Sequence, residues 1–267
     1  MEGMELIRSR RSVRTFNGKE LREDDAEKIR ECAQHAENPY HIPVAWRLLN
    51  GEMEGLSSPV ISGTNTWIAG KLAQVPHAEE AFGYSFEQIV LFAQSKGIGT
   101  TWIAGTMNRP AFERAMGLGP GEVMPCVSPL GYPAAKKSLR EVMMRKGVKA
   151  DSRMKFGELF FDGSFEKPLS PDHELSEPLE MVRWAPSAVN KQPWRVVIDG
   201  NKAHFYEKRS RGYVNASGWD LQKVDMGIAM FHFVYGLSTV GKQAEFALQD
   251  PGLAVPENVL YIASFLL

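Results

Sequence analysis

The chain carries one short pattern twice, and this internal repeat limits the folds that are open to it. Residues 44–49 read Val-Ala-Trp-Arg-Leu-Leu, and residues 192–198 read Gln-Pro-Trp-Arg-Val-Val-Ile. Each run is followed by a glycine-containing segment that favours a hairpin turn, at 50–51 and at 199–201. The two Trp-Arg pairs lie 194 − 46 = 148 residues apart. The pattern predicts two copies of one strand-and-hairpin unit, and a chance match between short motifs is the competing interpretation.

The helices around these strands also occur in matching order. An amphipathic helix is predicted at 23–36, before the first strand. Residues 86–99 predict a buried helix that stops at Gly97, where a glycine follows the last apolar residues. Residues 225–237 have the same character and end at Gly236, which gives an offset of 236 − 97 = 139.

A last strand is predicted in each half, at 125–131 and at 259–265. The order of elements therefore agrees between the halves although residue identity does not, as expected for an old duplication. We expect a first domain at 1–148 and a second at 149–267, joined by the Gly-, Lys- and Asp-containing stretch around 146–152.

The composition excludes several classes of protein. The 267 residues are 43% hydrophobic and 24% charged, which is typical of a soluble globular protein. The net charge of -1 offers no field for nucleic acid or an acidic membrane surface. No apolar run approaches the roughly 20 residues of a membrane span, and the N-terminus is too acidic for a signal peptide. We expect a cytoplasmic protein, in which the glycosylation sequon at Asn215 has no meaning.

The cysteines and histidines predict no metal centre. Cys32 and Cys126 are far apart and lack metal-ligand spacing, so free thiols in a reducing compartment are expected. No His-Glu-x-x-His or Cys-x-x-Cys motif is present. His232 lies in an apolar run and is predicted to be a core histidine, whereas Asp225 in the same helix could be structural or face a ligand.

A basic cluster near the N-terminus could bind phosphate. Arg10, Arg11, Ser12 and Arg14 lie within five positions, where a short predicted helix meets a loop. Arginine presents forked donors to phosphate oxygens, and a serine hydroxyl adds another donor. Taken alone, such a cluster is more often the solvated face of a surface helix.

A second motif lies far along the chain. Residues 185–194 read Ala-Pro-Ser-Ala-Val-Asn-Lys-Gln-Pro-Trp, a loop that runs into the second Trp-Arg strand. Its polar side chains suit the edge of a flat heterocycle. The alternative is a helix stop and strand start in which Asn190 and Gln192 cap backbone groups.

The two motifs together resemble the two halves of the FMN site in the nitroreductase superfamily. In that family both motifs lie close together in one subunit, and each flavin takes one motif from each partner. Their separation here suggests two subunits fused into one chain. The resemblance implies an α+β, nitroreductase-like fold whose two tandem repeats form an internal pseudo-dimer, and hence a monomer in solution.

The resemblance also implies which residues bind FMN. The basic cluster would hold the phosphate and part of the pyrimidine edge, and main-chain N–H groups of the 97–105 segment would lie beside flavin N5 and O4. Lysines after the last strand of repeat one would complete phosphate binding, with Arg140 a weaker candidate and surface lysines a nearly equal alternative. In repeat two, the serine and main chain of the loop would meet the dimethylbenzene and ribityl side, while Asn190 and Gln192 brace the loop. The candidates are Arg10, Arg11, Ser12, Arg14, Ile103, Ala104, Gly105, Lys136, Lys137, Pro186, Ser187, Ala188, Asn190 and Gln192.

The two repeats have lost complementary parts of this site. At the 148-residue offset, Ile42 and Val44 stand where Asn190 and Gln192 stand in repeat two. Repeat two in turn has no Arg-Arg-Ser cluster, since residues 165–169 read Phe-Glu-Lys-Pro-Leu. We therefore expect one complete FMN site per chain.

By the family's chemistry, the protein would be an FMN-dependent oxidoreductase. A hydride would pass from NADH or NADPH through flavin N5 to a small planar acceptor such as a nitroaromatic or a quinone. The flavin carries this chemistry, so no catalytic side chain is expected. A flavin-binding or storage protein without efficient turnover and a flavin-free scaffold are the alternatives.

Overall fold

The computed structural model describes residues 2–214 and 219–267, so the sequon at Asn215 lies outside the described residues. The chain divides into two units, the first ending at Ala150 and the second beginning at Asp151. This division falls two residues after the boundary expected from the repeat.

Unit 1 combines six helices and four strands, counted over its described residues. In chain order they are α1 (Gly3–Ser9), α2 (Glu23–Gln34), β1 (Ala45–Asn50), α3 (Gly51–Glu54), β2 (Thr66–Ala73), α4 (Ala78–Ser95), α5 (Arg109–Met116), β3 (Glu122–Val123), β4 (Val127–Leu130) and α6 (Leu139–Gly147). Strand β2 is central, with β1 antiparallel on one side and both β3 and β4 antiparallel on the other.

The core of unit 1 covers this sheet with aromatic side chains. Helix α4 is almost entirely buried, as its run of apolar residues predicts. The Trp46 ring packs on Phe82 and Phe86 of α4, with ring centroids 5.3 and 5.0 Å away. A Cβ atom on Gly70 of β2 would lie 2.3 Å from the same ring, so only glycine leaves room for the indole.

Unit 2 contains a second sheet with helices. In chain order its elements are α7 (Phe156–Leu159), β5 (Phe160–Asp162), α8 (Ser176–Trp184), a short 3-10 helix (Ala188–Asn190), β6 (Trp194–Asp199), β7 (Lys202–Lys208), α9 (Leu221–Thr239), β8 (Glu245–Ala247) and β9 (Val259–Leu266). The strand order is β5-β6-β7-β9-β8, and β5–β6 is a parallel pair whereas the other neighbours are antiparallel.

The two units share one topology. In unit 1, β1 pairs with β2, a long helix follows, and β4 returns antiparallel to β2. In unit 2, β6 pairs with β7, a long helix follows, and β9 returns antiparallel to β7. The predicted tandem repeat of an α+β unit is therefore present, and the Trp46 and Trp194 strands are its equivalent first strands.

One predicted hairpin turn is wrong. The 199–201 turn joins β6 and β7 directly, with Asp199 opposite Lys202. Asn50-Gly51 forms no hairpin, because the Asn50 side chain accepts hydrogen bonds from the N–H groups of Glu52 and Met53 and starts α3. The chain pairs with β1 again only at Thr66, where β2 begins. The prediction was wrong because an asparagine followed by glycine can start a helix as well as form a turn.

The prediction that Gly236 ends the second long helix is also wrong. Gly97 lies just past α4 with φ +74°, as predicted for a left-handed helix stop. Gly236 instead lies inside α9, where a Cβ atom would be 2.7 Å from Pro178 Cα. The left-handed glycine after α9 is Gly241, with φ +70°. The offset between the equivalent helix stops is therefore 241 − 97 = 144. Glycine at 236 leaves room for the close approach of Pro178.

Other expectations concern single residues. His232 is completely buried in α9 and its Nδ1 lies 2.9 Å from the carbonyl oxygen of Met181, which confirms a core histidine. Cys126 is buried and Cys32 half-buried, and both are free thiols. Burial raises the pKa of Cys32 to about 11. Within the described residues, no helix combines the length and apolar character that a membrane crossing requires.

Candidate functional site

The basic loop of unit 1 is joined to the two other segments that the sequence singled out. The Val13 N–H donates to the Thr100 carbonyl at 2.8 Å, which ties the loop to the 97–105 segment. The Ala134 N–H donates to the Thr15 carbonyl at 3.0 Å, which ties it to the segment after β4. Three stretches that are far apart in sequence therefore meet at one place in unit 1.

Two glycines allow this close approach. The Gly99 N–H donates to the Gly131 carbonyl at 2.7 Å. A Cβ atom on Gly99 would lie 2.9 Å from Val13 side-chain atoms, and one on Gly131 would lie 2.9 Å from Phe16 Cδ1. Larger residues at either position would push the basic loop outward, which explains glycine there.

The loop is held by a buried carboxylate from α6. Glu141 Oε1 accepts a hydrogen bond from Arg11 Nη1 at 3.0 Å. Its Oε2 accepts from the main-chain N–H groups of Arg14 at 3.2 Å and Thr15 at 3.0 Å. The Glu141 side chain is 1% exposed, so these donors replace its hydration. Arg11 is consequently engaged within unit 1, and it fixes the loop beside Arg10 and Arg14.

Arg10 has buried donor atoms that lack an acceptor within the described part of the chain. Its Nε and Nη1 are buried and have no hydrogen-bond acceptor among the described residues. Burial lowers the pKa of Arg10, the Glu87 carboxylate opposes this shift, and the Arg145 charge adds to it. A buried guanidinium with unused donors is costly in the absence of an anion.

Arg14 has the same kind of environment. Burial lowers its pKa, the Glu141 carboxylate raises it, and the Arg145 charge lowers it further. The Arg145 charge therefore acts on both Arg10 and Arg14, each of which is partly desolvated. Like charges that act on one another in such a region favour a bound anion.

Arg145 was not among the residues selected from the sequence. It lies four positions after Glu141 in α6, and this spacing places both side chains on one face of the helix. This i, i+4 spacing is visible in the sequence, but it indicates a site residue only because Glu141 binds the basic loop. The face of α6 that carries Glu141 and Arg145 therefore belongs to the site.

Lys136 and Lys137 lie in the connection between two points of attachment to Thr15. Ala134 donates to the Thr15 carbonyl, and the Ser138 N–H donates to Thr15 Oγ1 at 3.2 Å. Both lysines are exposed, so the structure leaves their ammonium groups near the loop but in solvent. Arg140 is exposed as well and donates to the Pro59 carbonyl.

The 103–105 segment offers fewer main-chain donors than expected. The Ile103 N–H donates to the Val127 carbonyl at 2.9 Å and is thereby already bonded. The Ala104 carbonyl accepts from Arg109 Nη2 at 3.0 Å. The N–H groups of Ala104 and Gly105 donate to no described residue. These two main-chain N–H groups are therefore available to a ligand, whereas that of Ile103 is not.

In unit 2 the 185–194 loop has an unusual backbone. Val189, Asn190 and Gln192 have φ values of 51°, 55° and 50°, in the left-handed region that non-glycine residues rarely adopt. A β-branched valine is especially unfavourable there. Strain of this kind persists only where surrounding contacts hold it, and it is concentrated at functional sites.

The contacts that hold this loop come from its own polar side chains. Ser187 Oγ accepts from the Gln192 N–H at 2.9 Å. Gln192 Oε1 accepts from the Met154 N–H at 2.9 Å, and Asn190 Nδ2 donates to the Ser152 carbonyl at 3.1 Å. Asn190 and Gln192 thus brace the loop against residues 152–154, and in doing so they also satisfy backbone groups.

Asp225 provides a further support. Its Oδ1 and Oδ2 accept from the Ala188 N–H at 3.0 and 3.1 Å, so this residue is structural for the loop. Burial raises the pKa of Asp225 well above its usual value, the Ala188 hydrogen bond opposes that shift, and the charges of Asp220 and Glu207 add to it.

A cavity of about 580 Å³ lies elsewhere in unit 1, between α2 and β1. It is lined by α2 residues such as Arg30 and by the 41–48 segment, which includes Ile42 and Val44, the counterparts of Asn190 and Gln192. None of the candidate cofactor residues lines it. No group of three or more His, Cys, Asp or Glu side chains in the described residues could hold a metal ion.

The fold and these features define a mixed α+β protein built from two similar units, with an arginine-rich loop in the first and a strained polar loop in the second. The family model described as "Putative TM nitroreductase" matches residues 2–237. The chain therefore belongs to this nitroreductase family. No curated protein matches the sequence.

Solved structures with a similar fold include one that matches the whole chain. The chain is similar to a Thermotoga maritima protein described as a "putative nitroreductase", with 22% identity, a TM-score of 0.65, and coverage of 100% of this chain and 94% of that one. This likeness shows the fold over the whole chain. An FMN-dependent nitroreductase from Clostridium difficile matches at 14% identity over 50% of this chain and 88% of that one, with a TM-score of 0.43. A Clostridium acetobutylicum protein named as an NADH oxidase matches at 19% identity over 49% and 89%, with a TM-score of 0.42.

Proposed function

We propose that this protein is an FMN-dependent oxidoreductase that uses NADH or NADPH to reduce a small planar acceptor, such as a nitroaromatic compound or a quinone. Membership of a nitroreductase family supports the oxidoreductase class. The observation that carries the cofactor assignment is Arg10, whose buried Nε and Nη1 have no acceptor among the described residues. A phosphate group would supply the missing acceptor and the missing negative charge.

The donor set of unit 1 fits a phosphate monoester. The Arg145 charge acts on both Arg10 and Arg14, and the Ser12 hydroxyl makes no hydrogen bond with any described residue. Lys136 and Lys137 are exposed at the end of the same segment. Arg11 would act beside these groups, held in place by Glu141. We assign the phosphate of FMN to this set of donors.

The main chain of unit 1 would orient the isoalloxazine ring. The N–H groups of Ala104 and Gly105 have no acceptor among the described residues and are suited to the polar edge of the ring. When bound, FMN supplies the capacity to take a hydride from a nicotinamide and pass it to a second substrate. The protein's own residues bind and orient, which is why no acid, base or nucleophile is assigned.

The 186–192 loop of unit 2 is proposed to contribute to the same cofactor site, as the family resemblance implies. Pro186, Ser187 and Ala188 would present main chain and a hydroxyl to the dimethylbenzene and ribityl side. Their support is the bracing of the loop by Asn190, Gln192 and Asp225. A braced loop loses little conformational entropy when it binds a rigid ring.

The test is a visible absorption spectrum of the purified protein, followed by a titration with FMN. We expect saturable binding near one FMN per chain, whereas two per chain would contradict a single site. Arg145→Ala should weaken FMN binding by roughly tenfold or more, because a charge-assisted pair is lost. The matched control is Lys146→Ala, an exposed cation on the next residue that should leave FMN affinity unchanged.

Oxidation of NADH and NADPH then separates turnover from simple flavin binding. Sustained oxidation of the nicotinamide requires an electron acceptor, and dissolved dioxygen can serve as one, so a panel of nitroaromatics and quinones assayed without oxygen identifies the second substrate. A protein that binds FMN but oxidises neither nicotinamide with any acceptor would be a flavin-binding protein, and the proposed activity would be wrong.

A further inference from the structure

Helix α6 has an inverted distribution of polarity. Its glutamate, Glu141, is buried, while Leu139, Val142 and Met143 are 82%, 47% and 67% exposed. These three positions belong to one turn of the helix, at i, i+3 and i+4, so they form one apolar patch. The described residues include 11 exposed large apolar side chains, and three of them lie within positions 139–143. We call them the α6 outer face.

The surroundings of the α6 outer face are strongly basic. Six cationic residues and one acidic residue lie between positions 136 and 149, although the whole chain has a net charge of -1. The one acidic residue is Glu141, whose carboxylate is occupied by Arg11 and two main-chain N–H groups. The cations are Lys136, Lys137, Arg140, Arg145, Lys146 and Lys149. Arg145 lies with Glu141 on the inner face, so the exposed cations near the α6 outer face are Arg140 and the four lysines.

The inner face of α6 holds the helix in place. Glu141 binds the basic loop, and Ser138 caps the helix by accepting from the Glu141 N–H at 3.2 Å. The apolar patch is consequently presented by a preformed helix, which does not have to fold when it meets a partner. Preformed amphipathic helices with cationic flanks are suited to the boundary between lipid headgroups and acyl chains.

We propose that the α6 outer face is a docking surface for a membrane that contains anionic phospholipid. Leu139, Val142 and Met143 would enter the headgroup region, and the flanking lysines, Lys146 and Lys149 among them, would meet lipid phosphates. The net charge of -1 predicted no acidic membrane partner, because it averages over the chain and does not register the local positive charge of this segment. The proposed contact is attachment to a membrane surface and requires no membrane-spanning helix. The inference does not depend on FMN binding, because it uses the face of α6 opposite to Glu141 and Arg145.

Charge and geometry favour this partner over others. A second copy of the chain, packed symmetrically, would bring two sets of cations together. An acidic protein groove takes apolar anchors at i, i+3, i+4 and i+7, and here position i+7 is Lys146. A nucleic acid would neutralise the lysines but leave the three apolar side chains in water. An anionic membrane satisfies both the charge and the apolar patch.

The experiment is co-sedimentation of the full chain with vesicles. Vesicles of phosphatidylcholine alone are compared with vesicles of phosphatidylcholine and phosphatidylglycerol, at low and high salt. We expect binding to the anionic vesicles that weakens with salt, and at least about tenfold weaker binding for both Leu139→Ser/Met143→Ser and Lys146→Glu/Lys149→Glu. Met53→Ser is the matched control, because Met53 is 84% exposed and lies outside α6.

Three results would overturn the proposal. The first is no binding to anionic vesicles by the wild-type chain. The second is binding that survives in the Leu139→Ser/Met143→Ser variant, which would make it a charge effect alone. The third is a dimer in light scattering that the same variant dissociates, which would assign the face to a second copy. Circular dichroism and FMN titration of each variant show whether the fold and the cofactor site are intact, so a failed fold is distinguished from a failed proposal.

Discussion

Glu141 accepts a hydrogen bond from Arg11 at 3.0 Å across 130 positions of sequence, and its carboxylate is buried. The same carboxylate bonds the N–H groups of Arg14 and Thr15, so one side chain joins α6 to the basic loop. The position of the basic loop therefore depends on a single carboxylate from α6.

Glu141→Ala should destabilise unit 1 by roughly 2–4 kcal/mol, because it leaves a half-buried guanidinium and two loop N–H groups without their acceptor. Urea unfolding measures the loss. The control is Glu23→Ala, which removes a carboxylate that is 82% exposed and ion-paired with Arg30, and this change should cost less than about 1 kcal/mol. Equal effects of the two substitutions would contradict the assigned role of Glu141.

Arg10→Met should separate stability from cofactor binding. Without FMN, the stability of the variant should differ from the wild type by less than about 1–2 kcal/mol, because the removal of two buried donors without acceptors offsets the lost attraction to the Glu87 carboxylate. FMN affinity should fall by roughly tenfold or more, because the same donors are proposed to bind phosphate. Thermal unfolding with and without FMN measures both effects. A loss of stability together with unchanged FMN affinity would show that Arg10 has a structural partner instead.

Arg11→Glu and Asn190→Ala should each impair FMN retention, although the residues belong to different units. Arg11→Glu places a carboxylate against Glu141 and disturbs the basic loop. Asn190→Ala removes the bond to the Ser152 carbonyl that braces the strained loop. Equilibrium dialysis gives the affinities.

Two further variants serve as controls for Arg11→Glu and Asn190→Ala. Lys191→Ala changes an exposed neighbour in the unit 2 loop and should leave FMN affinity unchanged. Arg11→Gln removes the charge without adding a new one, and it shows whether a weak Arg11→Glu variant is merely misfolded. If FMN affinity were normal in either Arg11→Glu or Asn190→Ala, the composite-site hypothesis would be wrong.

Asp225→Asn should change how stability depends on pH. The pKa of Asp225 is raised in the folded state, chiefly by burial, so the folded protein holds a proton that the unfolded chain releases. This contribution is fully present below the ordinary aspartate pKa of about 4 and is lost as pH rises through the folded pKa. Asparagine keeps an oxygen for the Ala188 N–H and carries no charge. The variant should therefore gain stability relative to the wild type as pH rises.

Thermal unfolding between about pH 5 and pH 9 measures this difference. Asp225→Ala is the control, because it removes the acceptor and should cost about 1–3 kcal/mol across that range. A pH dependence in Asp225→Asn that is identical to the wild type would show that Asp225 is ionised in the fold.

Gly236→Ala should destabilise unit 2 by about 1–3 kcal/mol. Alanine is the better helix former, but its Cβ atom would lie 2.7 Å from Pro178 Cα, and backbone on both sides leaves little room to relax. Gly147→Ala, at the end of α6, meets nothing within 4 Å and should be neutral or slightly stabilising. Thermal unfolding of the two variants compares them directly.

Local patterns predicted much of the architecture. The Trp46 and Trp194 strands, the long buried helices and the 199–201 turn follow from apolar periodicity and turn chemistry, which act over a few residues. Asn50-Gly51 and Gly236 were misread because asparagine and glycine serve several purposes that only their neighbours in space distinguish. The candidate FMN-binding residues stay predictions. Of the three main-chain candidates, only Ala104 and Gly105 have N–H groups without an acceptor among the described residues.

The sequence by itself determined the family, the repeated α+β unit, and the two motifs that suggest a flavin site. The tertiary structure alone decided which cations are already paired, because the Glu141–Arg11 contact joins residues 130 positions apart. It also decided that Arg145 joins Arg10 and Arg14, and that Asp225 holds the Ala188 N–H. Periodicity specifies helices and strands, whereas the pairing and desolvation of charges depend on which surfaces those elements bury against each other.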